Sequence, residues 1–362
     1  MSTCSYIHIP FCKSKCNYCT FVSCTNLSLM QKYIVALKNE IMAEYRGEEL
    51  STLYFGGGTP SLLDIADIKS IINLFNFSSN NEITLELNPD DVTYDYVSAL
   101  RDIGVNRLSI GSQTFCDSIL KYIGRRHNSR QVIKSVDVAK KSGFVNISLD
   151  LIYGLPFQTL KMLQDDIDKI VETDVPHIST YGLKIEEGSY FAKHAPENLP
   201  NNDEQADMYE TINSRLKNFG YDRYEVSNFS KHGFESRHNL NYWNNGEYYG
   251  FGVSAHGYID GVRYSNSDNI ENYIFNPNNN KQKIRLSRQE QLEEEIFLGF
   301  RKSSGINIKK IQEKYDVDFE SKYKDILLKY PDYFEKTDIG YRLNLKGVML
   351  SNVLLSEFIE TV

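Results

Sequence analysis

Cys12, Cys16 and Cys19 place three thiols within eight residues, directly after an apolar run at Ser5–Ile9. Thiolates are ligands for zinc and for iron–sulfur clusters. A structural zinc site needs four closed ligands, commonly as two Cys-x-x-Cys pairs. No second pair exists here, although His8, Cys4 or Cys24 would complete a tetrahedron. A cubane held by three cysteines instead keeps one iron open for another ligand, and an open iron means chemistry at the cluster. Six cysteines in 362 residues, with Cys116 standing alone, are too few for a disulfide scaffold. In a reducing compartment the cluster of four before residue 20, with Cys24 close by, indicates a metal.

The elements that must position these thiols are short β-branched runs alternating with amphipathic segments, the pattern of a parallel α/β sheet or barrel. Strands are expected at Ser5–Ile9, Ser51–Phe55, Glu82–Leu87, Arg107–Ile110, Asn146–Leu151 and Ile178–Lys184. Between them, helices are expected at Leu29–Tyr45, Leu62–Phe75, Val92–Ile103, Ser118–Ile123 and Ser129–Ser142. In parallel α/β barrels functional groups gather at the C-terminal strand ends. Here the first strand ends in the cysteine loop and the second in Gly56-Gly57-Gly58-Thr59-Pro60. The third carries Glu86 before Asn88-Pro89, the fourth ends Gly111-Ser112-Gln113, and the fifth holds Asp150 before Tyr153-Gly154-Leu155-Pro156. A structural protein has little reason to deliver such chemistry to one rim five times.

Forty basic and 48 acidic side chains leave a net charge of −8, so no global positive field draws the chain to phosphate backbones, and a nucleic-acid coat protein is excluded. Hydrophobic residues at 41% and charged ones at 24% are ordinary globular values. No apolar run approaches the length of a membrane span, and the start resembles no secretory signal, so a cytoplasmic location is expected.

Three units are expected: a barrel core at 1–200, a flanking β-containing segment at 201–286, and a small C-terminal unit at 287–362. The middle segment opens with a helix at Asp203–Gly220 and continues into an aromatic, Asn-rich stretch with turns at Asn245-Gly246 and Asp260-Gly261. The last unit reads as helices Ser287–Arg301, Ile308–Tyr315 and Phe319–Lys329, a β segment Tyr341–Asn344 and a final helix Leu345–Ile359, which is winged-helix-like. Its twelve basic and fourteen acidic side chains argue against DNA binding.

Cys-x-x-x-Cys-x-x-Cys, flanked by Tyr6-Ile7-His8-Ile9-Pro10-Phe11 and Tyr18-Cys19-Thr20-Phe21, resembles the signature of the radical S-adenosylmethionine (SAM) family. Within it the chain resembles the branch of the oxygen-independent coproporphyrinogen III oxidases and related haem chaperones. The likeness extends through Gly56–Ser61, Leu85–Pro89, Ser109–Phe115, Asp150–Pro156 and His238-Asn239-Leu240-Asn241-Tyr242-Trp243. It implies a partial (β/α)6 radical SAM barrel, with a winged-helix-like C-terminal domain of the oxidase type. It further implies that Cys12, Cys16 and Cys19 hold a [4Fe–4S] cluster whose open iron is chelated by SAM, which electron transfer would cleave to a 5′-deoxyadenosyl radical. Gly57 and Gly58, beside Gly56, would let backbone approach the methionine part of SAM, and Thr59 would add a hydroxyl. Glu86, Gln113 and Asp150 suit ribose hydroxyls or the ammonium, Arg125 suits a carboxylate, and Tyr6 and Tyr18 would wall the site. Singly, each of these is as well explained as a surface, capping or core side chain.

Two functions from different classes follow from the resemblance. In the oxidases a fourth cysteine follows the third at Cys-x-Cys spacing, where this chain has Phe21, and a longer segment precedes the first strand. Both departures disfavour coproporphyrinogen III dehydrogenase activity and porphyrin biosynthesis. The His238–Trp243 element is typical of the haem chaperones, with His238 the expected haem ligand and His256 the rival, while His8 reads as a core residue. The implied partners are haem, haem-acceptor proteins of the respiratory chain (among them membrane proteins), an electron donor for the cluster, and a second copy of the chain.

Overall fold

The computed structural model describes residues 3–278 and 281–359. Six parallel strands form its centre: β1 (Thr3–Ile9), β2 (Glu49–Gly57), β3 (Asn76–Leu87), β4 (Arg107–Gln113), β5 (Asn146–Tyr153) and β6 (His177–Gly182). They lie side by side in chain order. Each begins within a few residues of its expected start, except β3, which begins at Asn76 in a polar stretch with no strand pattern. Their apolar residues (Ile7, Leu53, Phe55, Leu85, Leu108, Ile147, Leu149) are buried in one continuous core with the outer helices.

Those helices include Met30–Glu44, Ile65–Ile72, Tyr94–Asp102, Ser129–Lys141 and Leu160–Glu172. The expected helix Leu62–Phe75 is split, because Leu63 and Asp64 are extended (ψ 144° and 148°) and separate a 3-10 turn at Pro60–Leu62 from the helix proper. The capping box of Asn128 and Gln131 starts Ser129–Lys141.

The six strands form an open arc. β6 is followed in space by β8 (Asn228–Ser230) and β7 (Asp222–Arg223), and the other edge of β1 is taken by β9 (Tyr248–Phe251). β9 runs parallel to β1, then β10 (His256–Ile259), β11 (Val262–Ser265) and β12 (Gln282–Arg285) continue antiparallel, giving twelve strands among the described residues. The aromatic, Asn-rich segment thus extends the sheet on both flanks.

The C-terminal unit packs around Leu292, Ile296, Phe300, Phe319 and Phe358, beside a three-stranded antiparallel wing (Ile306–Asn307, Phe334–Lys336, Gly340–Leu343). Two helices expected to be continuous are broken. Tyr323 (φ −109°, ψ 20°) interrupts Phe319–Lys329, and Leu350 (φ −100°, ψ 12°) interrupts the final one. No helix of the described residues is long and apolar enough to cross a membrane.

Candidate functional site

The C-terminal ends of β1 to β6 surround a cavity of about 570 Å³. Its lining includes Cys12, Cys16, Tyr18, Cys19, Gly57, Gly58, Thr59, Glu86, Gln113, Arg125 and Asp150. The cysteine loop is pinned on both sides: Cys12 N donates to Cys24 O at 3.1 Å and Cys24 N to Pro10 O at 2.6 Å across the strand end, and Asn17 N donates to Ile123 O at 3.0 Å. Burial pushes the Cys12 and Cys19 thiols up in pKa, so they need a cationic partner to ionise. Among the described residues no three His, Cys, Asp or Glu side chains converge as around a single metal ion. A polynuclear cluster accepts wider-set thiols. Cys4 is buried on β1 with its Sγ 3.4 Å from Ser51 Oγ, away from the loop.

The rim carboxylates are already hydrogen-bonded. Glu86 accepts from Tyr54 Oη at 2.8 Å and from Gly57 N at 3.2 Å, and burial raises its pKa to about 7. Asp150 accepts from Ser109 Oγ at 3.1 Å and 3.2 Å, and burial raises its pKa too. Both favour a cationic ligand that would offset their desolvation. Gln113 sits in the left-handed region (φ 64°) at a register shift between β4 and β5, a local strain that turns its amide onto the rim. Arg125 reaches from the loop after the helix Asp117–Tyr122, donating to Asn88 Oδ1 at 2.6 Å, Gly111 O at 2.9 Å and Cys16 Sγ at 3.6 Å. Its Nε is buried and has no hydrogen-bond partner among the described residues, while the guanidinium lines the cavity. These features fit a zwitterionic ligand such as SAM beside a thiolate-held cluster.

Several expected site residues have roles within the protein itself. Gly57 and Gly58 do line the cavity, but the space a Cβ would take is filled by protein rather than ligand. Gly57 (φ +112°) would place it 2.6 Å from the His8 ring, and Gly58 would place it 2.8 Å from Phe11 O. The glycines bring β2 against β1 and the cysteine loop. Thr59 donates its hydroxyl to Cys12 Sγ at 3.5 Å and accepts from Asn88 Nδ2 at 3.2 Å, so it braces a thiol. Tyr6 does not wall this cavity. Its hydroxyl meets His8 Nδ1 at 3.0 Å, its ring abuts Gly56, and it faces a second cavity on the other side of β1.

The largest change concerns His238. It lies in the helix Arg237–Trp243, is 1% exposed, and stands under the arc instead of in a pocket. Nδ1 meets Thr52 Oγ1 at 2.6 Å and Nε2 meets Tyr242 Oη at 2.8 Å. Its ring stacks on Tyr54 at 5.0 Å between centroids, and burial lowers its pKa to about 3. With both ring nitrogens taken, this geometry does not present His238 to haem iron. Sequence reasoning gave no role to Tyr54, Asn88, Ser109 or Tyr181, which all line the first cavity; Tyr181 was findable near the end of the sixth strand.

An arc of parallel strands that hangs a three-cysteine loop over a charged rim is the architecture of a radical SAM protein, and the sequence model of the radical SAM superfamily matches residues 6–170. That of the HemN C-terminal domain matches residues 286–350. The chain belongs, within that superfamily, to the family of the protein named Heme chaperone HemW. It is 38% identical to HemW of Lactococcus lactis subsp. lactis, covering 98% of this chain and 97% of the relative. It is 37% identical to that of Bacillus subtilis, covering 98% of each. Among solved structures it is similar to the coproporphyrinogen III oxidase HemN of Escherichia coli, with a TM-score of 0.87, 22% identity, and coverage of 99% of this chain and 90% of that one. At that identity the likeness speaks to the fold alone.

Proposed function

We propose that this chain is a haem-binding radical SAM protein that acts as a haem chaperone, passing haem to acceptor proteins. The observation that carries the reading is the end-to-end likeness, at 37–38% identity, to relatives named as haem chaperones. Phe21 supports it, standing where the oxidases have a fourth cysteine; its ring is 63% exposed beside Cys19 and offers no ligand. The alternative is an oxygen-independent coproporphyrinogen III oxidase, whose fold this chain shares.

In this reading Cys12, Cys16 and Cys19 hold the [4Fe–4S] cluster, and the rim from Glu86 to Asp150 with Arg125 holds SAM. Together these groups supply one-electron chemistry when bound. Arg125 orients a carboxylate through its guanidinium and steadies the Cys16 thiolate, while Thr59 steadies Cys12. Asp150 and Glu86 receive an ammonium or ribose hydroxyls, and Tyr18 covers the loop side against water. The cytoplasm is the proposed location, and acceptor proteins of the respiratory chain are the proposed recipients.

The test is anaerobic reconstitution followed by iron and sulfide analysis, haem titration and a coproporphyrinogen assay on one sample. The expected result is one cluster lost on Cys12→Ala, Cys16→Ala or Cys19→Ala but kept on Cys24→Ala, a Soret band with haem, and no protoporphyrinogen formed with SAM and reductant. Turnover of coproporphyrinogen would replace the chaperone reading by the oxidase.

A further inference from the structure

A second cavity of about 480 Å³ lies between β1, the end of the cysteine loop and the β9–β11 extension. Its walls include Tyr6, Val22, Tyr242, Tyr248, His256 and Leu298, so strand, loop, helix and C-terminal unit all contribute. Aromatic rings and aliphatic side chains dominate it, and it opens to solvent on one side. The first cavity, by contrast, is bordered by Lys13, Lys15, Asp90, Arg125 and Arg126. Of the seven histidines, His8, His177 and His238 have both ring nitrogens engaged, His127 holds Ser112 O at 3.2 Å, and His194 holds Tyr190 O at 3.3 Å. His232 is exposed at a turn that borders no described cavity. His256 is exposed, lines the second cavity, and has no hydrogen bond at either ring nitrogen among the described residues.

The backbone that carries His256 is fixed. Ser254 adopts a left-handed conformation (φ 58°) and donates from its N to Ser267 O at 2.7 Å, while Asn266 N donates to Ala255 O at 2.9 Å. His256 then pairs with Ser265 across β10 and β11. A free imidazole on a rigid corner beside an aromatic slot is what an iron porphyrin requires: apolar walls for the macrocycle and one nitrogen lone pair for the metal. Arg263 is committed to Glu294 at 2.7 Å, so the slot offers the porphyrin carboxylates no free guanidinium and they stay in solvent.

We propose that haem is loaded into this second cavity with His256 as its axial ligand, and that His238 is a positioning residue holding Tyr242 in the cavity wall. The inference rests on the haem-chaperone reading and assigns that function a place. The bond is dative: a ring-nitrogen lone pair supplies both electrons, and the iron keeps its oxidation state. His238 Nε2 fixes the Tyr242 hydroxyl at 2.8 Å, and Tyr242 borders the cavity, so loss of His238 acts on haem through that wall.

The experiment titrates hemin into the reconstituted full chain and its variants, following the Soret band and the low-field electron paramagnetic resonance of ferric haem. His256→Ala is expected to weaken binding roughly 100-fold, and His256→Cys to keep binding while shifting the band to that of a thiolate-ligated haem. His238→Gln is expected to weaken binding roughly tenfold with the band position unchanged. Wild-type binding in His256→Ala, or a changed ligand signature in His238→Gln alone, overturns the site and leaves the chaperone reading standing. Absence of hemin binding by the wild type overturns both.

Discussion

At the scale of single residues, the rim is made of groups held away from their solution behaviour by desolvation. Glu86 illustrates the sign. Its pKa is raised from 4.5 to about 7, so between these values the folded chain binds more protons than the unfolded one. Glu86 therefore adds no penalty below pH 4.5, costs stability as pH rises through that window, and reaches a constant penalty of about 3 kcal/mol above it. Glu225, raised to about 7, and Asp166, raised to about 6, act in the same direction. In urea unfolding of the cofactor-free chain, Glu86→Gln is expected to match the wild type near pH 4.5 and to exceed it by a few kcal/mol at pH 8. Equal wild-type and variant stability at both values would remove the desolvation argument. A second pair of residues separates binding from architecture. Asp150→Ala is expected to weaken SAM binding in calorimetry while iron content is kept. Gly57→Val is expected to lower stability by about 1–3 kcal/mol before any ligand is added, because its φ of +112° and the His8 ring both oppose a side chain.

At the scale of elements, the central strands were legible because β-branched runs buried on both faces read the same in any parallel sheet. The rim was legible for the same reason, since polar residues at strand ends converge once the strands are parallel. The extension was not. β7 to β12 are two to four residues long, carry no run of β-branched residues, and pair through turns whose partners are set only after the arc exists. His238 shows a second limit: its motif is plain in the sequence, but the hydroxyl that occupies its Nδ1 comes from Thr52, 186 residues away. The short helix Arg237–Trp243 stands at its place through two N-terminal devices. Ser236 Oγ accepts from Asn239 N at 3.3 Å, and the Glu82 carboxylate of β3 accepts from Arg237 N at 3.2 Å and His238 N at 3.1 Å. Ser236→Ala is expected to cost about 1 kcal/mol in global stability. It should also speed amide exchange in this helix selectively, which hydrogen-exchange mass spectrometry reads; uniform protection would show that the cap is redundant.

At the scale of the whole molecule, both cavities lean on β1: its last residues lead into the cysteine loop, and Tyr6 and His8 face the second cavity. The C-terminal unit reaches the second cavity through Leu298, so deleting residues 286–362 is expected to weaken haem binding more than SAM binding in parallel titrations. A matching loss of both would mean that the unit serves only general stability.

Thr20 and Phe21 border both cavities, so the residues directly following Cys19 form a party wall. Two ligands that share a wall are linked thermodynamically, and the linkage is reciprocal. Whatever factor the cluster adds to haem affinity, haem must add to cluster retention. If the cluster and haem are bound as proposed, oxidation that strips the cluster would alter this wall, and haem affinity would change with it. The equilibrium affinity for haem, titrated with and without the reconstituted cluster, is therefore expected to differ, and haem to change the equilibrium retention of the cluster by the same factor.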